Sequence, residues 1–240
     1  MNIVQAINDP KVFGRYFKAE SWNAWRVFLA ALFGLPLGCD KLTLYRQCTG
    51  RATAPTKPLN EAWLVVGRRG GKSFVLAVIA TFLACFKDWR PYLAPGEVGT
   101  IMIIAKDRAQ ARSIKRYVSG LLRETSMLAP LIESETAEGV HLRNRVVIEV
   151  HAASFRSVRG YTVIAALLDE IAFWRATRPA PSPIPRSLTP FGPPWRPSPK
   201  PCCSALRART PVAAYCGTRT ASISARTTIR SSSGKPPRGP

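Results

Sequence analysis

No aspartate or glutamate follows Glu170 in this 240-residue chain, so all 14 acidic residues lie in its first 170 positions. Any chemistry that needs a carboxylate must therefore be built there. Histidine is nearly absent, with only His141 and His151, and we expect both to be structural rather than metal ligands. The six cysteines (Cys39, Cys48, Cys85, Cys202, Cys203 and Cys216) lack the spacing of a zinc site, which points to a reduced chain of cytosolic type. Long apolar runs are also missing. Ala24 to Leu37 is too short to span a bilayer and contains Arg26, and Met1 to Pro10 carries polar residues where a secretory signal would be apolar. We expect no membrane partner.

What the chain has in excess is positive charge: 35 Lys and Arg, for a net charge of +21. That balance suggests a polyanionic partner. Proline is unevenly placed, with 14 of 21 after residue 174. We therefore expect a helical N-terminal segment over 1–58, a core over 59–174 large enough to bury apolar surface, and a Pro-, Arg- and Ser-rich tail over 175–240 that is disordered.

The core is organised around Glu61 to Ala80, an apolar run, a glycine-rich turn ending in Lys-Ser, and a second apolar run. This reads as strand, phosphate loop (Walker A) and helix. Trp63 to Val66 predicts a buried strand, while Phe74, Val75, Val78, Ile79 and Phe82 recur at helical spacing. Gly67, Gly70 and Gly71 allow backbone N–H groups to turn toward an anion, and the helix adds the positive end of its dipole. Arg68, Arg69 and Lys72, crowded into one turn, repel each other unless they share an anion. Lys72 is placed to reach the β and γ phosphates of ATP, and the Ser73 hydroxyl to complete the shell of Mg²⁺. The general pattern asks for glycine at position 66, where this chain has valine.

The second feature is Val163 to Leu168, an unbroken apolar strand ending in Asp169-Glu170. A buried strand that delivers two carboxylates at its C-terminal end puts them where open α/β sheets bind ligands, as a Walker B motif does. Asp169 would hold Mg²⁺ through water, and Glu170 would orient and deprotonate an attacking water. Between the two motifs, Val98 to Ala105 predicts a buried strand and Lys106 to Glu124 a helix with basic residues along it. Val140 to Leu142 and Arg145 to Ala152 predict a hairpin around Arg143-Asn144. Before them, Trp22, Trp25, Arg26, Leu29 and Phe33 predict an amphipathic helix capped by Ser21 and stopped at Gly34. A short helix follows around Lys41 to Gln47. The fold class is α/β, a P-loop NTPase sheet flanked by helices.

These residues together resemble the large terminase subunit of tailed bacteriophages. That family's loop begins with a small residue and Arg and closes on Gly-Lys-Ser or Thr, as Gly67 to Ser73 does, which accounts for the displaced glycine. Arg159-Gly160 and the Asp169, Glu170 and Phe173 pattern match its second motif. The resemblance implies a RecA-like ATPase coupling Mg-ATP hydrolysis to packaging of double-stranded DNA. It further implies a small terminase subunit, a portal protein and further copies of the chain as partners, in the bacterial host cytoplasm. It gives Arg68 the role of an arginine finger, an effect worth roughly 10³ to 10⁵ in rate where such fingers act. Gln47 falls where the family often contacts adenine. Two other readings use the same residues: another RecA- or helicase-like ATPase, or a non-catalytic basic nucleic-acid-binding protein acting through its tail.

Past Trp174 the resemblance stops. The family continues with an acidic segment, a helix, a coupling strand ending in small hydroxyl residues, and a ribonuclease-H-like nuclease domain, and we expect these to be absent here. A GC-rich gene read out of frame produces such a Pro-, Arg- and Ser-rich alphabet. Joining each codon's third base to the next codon's first two lets Thr189 to Ser224 be read as a helix and an apolar strand ending in Ser-Ser-Ser-Pro. We expect residues from about 175 onward to be a frameshift product, the ATPase sheet to be incomplete, and the chain to hydrolyse ATP weakly or not at all.

Overall fold

The computed structural model describes residues 1–153 and 160–174. The expectations placed on 175–240, disorder and a shifted frame, lie outside the described residues, as does Arg159.

Helix α1 (Ile3–Asn8) opens with a reciprocal cap: the Asn2 side chain accepts from the Gln5 N–H at 2.8 Å, and the Gln5 side chain accepts from the Asn2 N–H at 2.8 Å. Two 3₁₀ turns, Gly14–Tyr16 and Glu20–Trp22, lead to α2 (Asn23–Leu32) and α3 (Cys39–Thr49). Ser21 does not cap α2 as expected. It lies inside the second 3₁₀ turn, and no side chain caps the helix that follows. Gly34 does end that run. It has φ +65°, and a Cβ there would sit 2.3 Å from the Lys57 carbonyl carbon.

Helix α4 (Lys72–Phe86) is buried at every position from Val75 to Ala84. A helix apolar all round has no solvent face and must lie inside the molecule. It packs in one core with Ile3, Ile7, Phe13 and Phe17 of the N-terminal segment and with Ile101 and Ile103 of the sheet. Phe33 meets Phe82 edge-on at 5.3 Å. Each fully buried isoleucine contributes roughly 1.5–3 kcal/mol relative to exposure.

The sheet is formed by β1 (Gly99–Ala105), β2 (Ile132–Glu135), β3 (Gly139–Leu142), β4 (Val146–Ala152) and β5 (Thr162–Leu168), in the order β2-β3-β4-β1-β5. The strand order is decided by the apolar strands. β1, buried along almost its whole length, lies between β4 and β5 and pairs in parallel with both. β3 runs antiparallel to β4 and β2 antiparallel to β3, so the sheet is mixed. Helix α5 (Arg108–Glu124) follows β1, capped by Asp107, whose carboxylate accepts from the Gln110 N–H at 2.9 Å. Its Ala111, Ile114, Val118, Leu121 and Leu122 recur at helical spacing and are buried.

One predicted strand does not form. Trp63 to Val66 makes no ladder, and only Val65 makes an isolated bridge. The reason is the sheet's edge: among the described residues β5 pairs with β1 alone, so no strand lies beyond it. An extended segment becomes a strand only when a neighbour takes its backbone hydrogen bonds. Among the described residues, no helix is long and apolar enough to cross a membrane.

Candidate phosphate-binding site

The glycine-rich turn is held from outside by α2. Arg69 takes the left-handed conformation (φ 59°), and the Gly70 N–H closes the turn on the Gly67 carbonyl at 3.3 Å. Trp25 Nε1 donates to the Gly70 carbonyl at 2.8 Å. Gly71 then starts α4 with φ +78°, and a Cβ at that position would lie 2.9 Å from the Trp22 ring. Only glycine fits both the dihedral angle and the space. Helix α4 thus starts at Lys72 with no side-chain cap, which leaves its first-turn N–H groups available to an anion.

The carboxylates come from the other end of the site. The Asp169 N–H donates to the Ile104 carbonyl at 2.8 Å, extending the ladder one step beyond β5. Asp169 is 2 % exposed, and its Oδ2 accepts from Ser73 Oγ at 2.8 Å and from Gln110 Nε2 at 3.0 Å. Gln110 Nε2 also donates to Ser73 Oγ at 2.9 Å, closing a triangle. Glu170 is left-handed (φ 51°), an uncommon conformation for a residue with a Cβ and one that clusters at functional sites. Its Oε1 lies 3.4 Å from Lys72 Nζ. The segment behind the carboxylates is pinned: Trp174 Nε1 donates to the Asp169 carbonyl at 3.0 Å, and Lys106 Nζ lies 4.9 Å above the Phe173 ring.

Lys72, Ser73, Asp169 and Glu170 therefore meet at one place. Trp25, Val66 and Leu168 line a cavity with Lys72, Asp169 and Glu170. Arg68 and Arg69 are exposed at the tip of the turn. Gln47 is not brought to the site: it is exposed on α3 and does not line that cavity. His151 is buried and paired with Glu149 at 2.7 Å. Two contacts are not foreshadowed by the motifs: Trp25 belongs to the amphipathic pattern of α2, and Gln110 lies on the basic helix α5. The Asp107-x-x-Gln110 spacing is a helix-start signal that places Gln110 in the first turn of α5, just after β1.

The oxygens of Ser73 and Asp169 suit a hard cation such as Mg²⁺, which binds through one or two protein oxygens and takes its other ligands from phosphates and water. Among the described residues no group of three His, Cys, Asp or Glu side chains could hold a metal without such help.

No protein-family model matches the chain, and no curated protein matches it. Among solved structures it is similar to the crystal structure of the HK97 bacteriophage large terminase, with 19 % sequence identity and a TM-score of 0.40. The match covers 62 % of this chain, which spans 31 % of the length of that one.

Proposed function

We propose that this chain carries the ATPase site of a terminase-type DNA-packaging motor. The observation that supports this most is the meeting of Lys72 and Ser73 with Asp169 and Glu170, two pairs distant in sequence and joined at 3.4 and 2.8 Å. Backbone N–H groups of the turn and of the first turn of α4 bind the phosphates of ATP, with Lys72 on the β and γ groups. Ser73 and Asp169 would hold Mg²⁺, which when bound neutralises charge on the phosphates. Glu170 takes a proton from the attacking water once Lys72 turns to the phosphates and leaves it unpaired. Arg68, exposed at the tip of the turn, stabilises charge on the transferred phosphoryl. Gln47 lies outside the cavity, so we assign it no adenine contact.

The DNA substrate, the small-subunit and portal partners, a cytoplasmic location in a bacterial host, and the frameshift after residue 174 belong to the same proposal. The frameshift rests on the composition of residues 175–240, and the others on the residues that carry the resemblance. Because β5 pairs with β1 alone among the described residues, we expect this chain to bind nucleotide and turn it over weakly or not at all. Equilibrium titration with a fluorescent ADP analogue and Mg²⁺ tests the site, with binding expected for the full chain and lost in Lys72→Ala. Binding indifferent to Lys72→Ala would overturn the assignment. Turnover that Lys72→Ala abolishes would overturn only the expected inactivity. Resequencing the gene around codon 175 tests the frameshift.

A further inference from the structure

Gln110 stands outside every motif, yet its side chain reaches both oxygens that the proposed function gives to the cation, at 2.9 Å from Ser73 Oγ and 3.0 Å from Asp169 Oδ2. A carboxylate oxygen only accepts hydrogen bonds, so the end of the amide that faces it is the NH₂ group. The Ser73 hydroxyl proton is already directed to Asp169 Oδ2, which leaves the Ser73 oxygen to accept from the same NH₂. The amide thus presents its positive end to the two groups that would otherwise face a cation.

We infer that Gln110 is a built-in competitor of the metal, a positioning residue whose amide holds Ser73 and Asp169 together and must swing away when a divalent ion binds. Three features make the placement deliberate rather than a passing surface contact. Asp107 caps α5 through the Gln110 N–H at 2.9 Å, which fixes the backbone from which the side chain extends. β1 lies beside β5 in the sheet, so the start of α5 sits beside the end of β5. Asp169 is buried, so water does not substitute freely for the amide. An N–H donor and a cation cannot occupy the same face of a carboxylate. Cation entry therefore breaks two contacts to Gln110 and releases its side chain from the site, while the Asp107 cap keeps the first turn of α5 in place.

This inference rests on the proposed nucleotide site and is tested by Mn²⁺ titration of the full chain with ADP, followed by electron paramagnetic resonance, with no need for turnover. Removing the competing donor in Gln110→Ala is expected to tighten Mn²⁺ about tenfold, the scale of one hydrogen bond to a charged group. Gln110→Leu keeps the side chain's bulk and is expected to do the same, while Gln110→Glu, which replaces the donor with a third oxygen, tightens it further. A residue that merely supported the fold would not raise cation affinity. Unchanged or weaker Mn²⁺ binding in both Gln110→Ala and Gln110→Leu overturns the inference alone, provided that wild-type binding is lost in Asp169→Asn. Mn²⁺ binding that survives Asp169→Asn overturns the nucleotide-site reading and this inference with it.

Discussion

The Ser73 hydroxyl donates to the Asp169 carboxylate at 2.8 Å across a sequence separation of 96 residues. One group stands in the first turn of α4 and the other just past the end of β5, so the bond ties the helix after the glycine-rich turn to the edge strand of the sheet. It also brings to one point the two oxygens to which the proposed function assigns a cation.

That pairing makes the metal-dependent part of nucleotide binding separable from the rest. Ser73→Ala and Asp169→Ala are each expected to weaken Mg-ADP binding by roughly tenfold or more while leaving Mg²⁺-free ADP binding little changed, since the first removes the hydroxyl and the second the carboxylate proposed to hold the cation. Titrations of a fluorescent ADP analogue with Mg²⁺ and with a chelator check this.

Trp25 acts on the loop through a single hydrogen bond to the Gly70 carbonyl. Trp25→Phe keeps an aromatic ring in the core and deletes the donor. It is expected to cost about 1 kcal/mol of stability, read from urea unfolding, together with a measurable loss of ADP affinity. A stability loss with unchanged ADP affinity would mean that the turn keeps its shape without Trp25.

Gly71→Ala combines an unfavourable φ with a clash against the Trp22 ring 2.9 Å away, whereas Gly50, also left-handed at φ +70°, has nothing within 4 Å. Left-handed strain alone costs roughly 1–3 kcal/mol. Gly71→Ala is therefore expected to lower the thermal midpoint more than Gly50→Ala, and only Gly71→Ala is expected to impair ADP binding.

Glu135 carries the clearest pH dependence. The hydrogen bond from Lys115 at 2.8 Å is the largest cause, joined by Ser119 and Arg123, and together they lower its carboxyl from 4.5 to about 2. A carboxyl held below its unfolded value stabilises the fold above the unfolded pKa and loses that contribution as pH falls through the folded one. The loss is therefore expected between pH 4.5 and about 2. Urea midpoints measured across that window should fall more steeply for the wild-type chain than for Glu135→Gln.

Much of the site was legible from local chemistry alone. The spacing of Gly67, Gly70, Gly71, Lys72 and Ser73 requires a turn followed by a helix, and α4 begins at Lys72. The apolar run ending at Leu168 requires a strand with Asp169 and Glu170 at its tip, and β5 is that strand, though half-buried rather than buried throughout, with Ile164, Ala165 and Leu167 in the core. Both signals lie within a few residues, where dihedral freedom and burial act directly on the chain.

Sheet order decided the rest. Only the placing of β1 beside β5 brings Gln110 to Asp169 over 59 residues, and only the packing of α2 against the loop brings Trp25 to Gly70 over 45. The Trp63 to Val66 segment has the composition of a strand but makes no more than an isolated bridge at Val65 among the described residues. Composition and spacing specify what a segment can form on its own. Which distant groups meet, and whether a strand-like segment finds a ladder, depends on how the whole core closes around it.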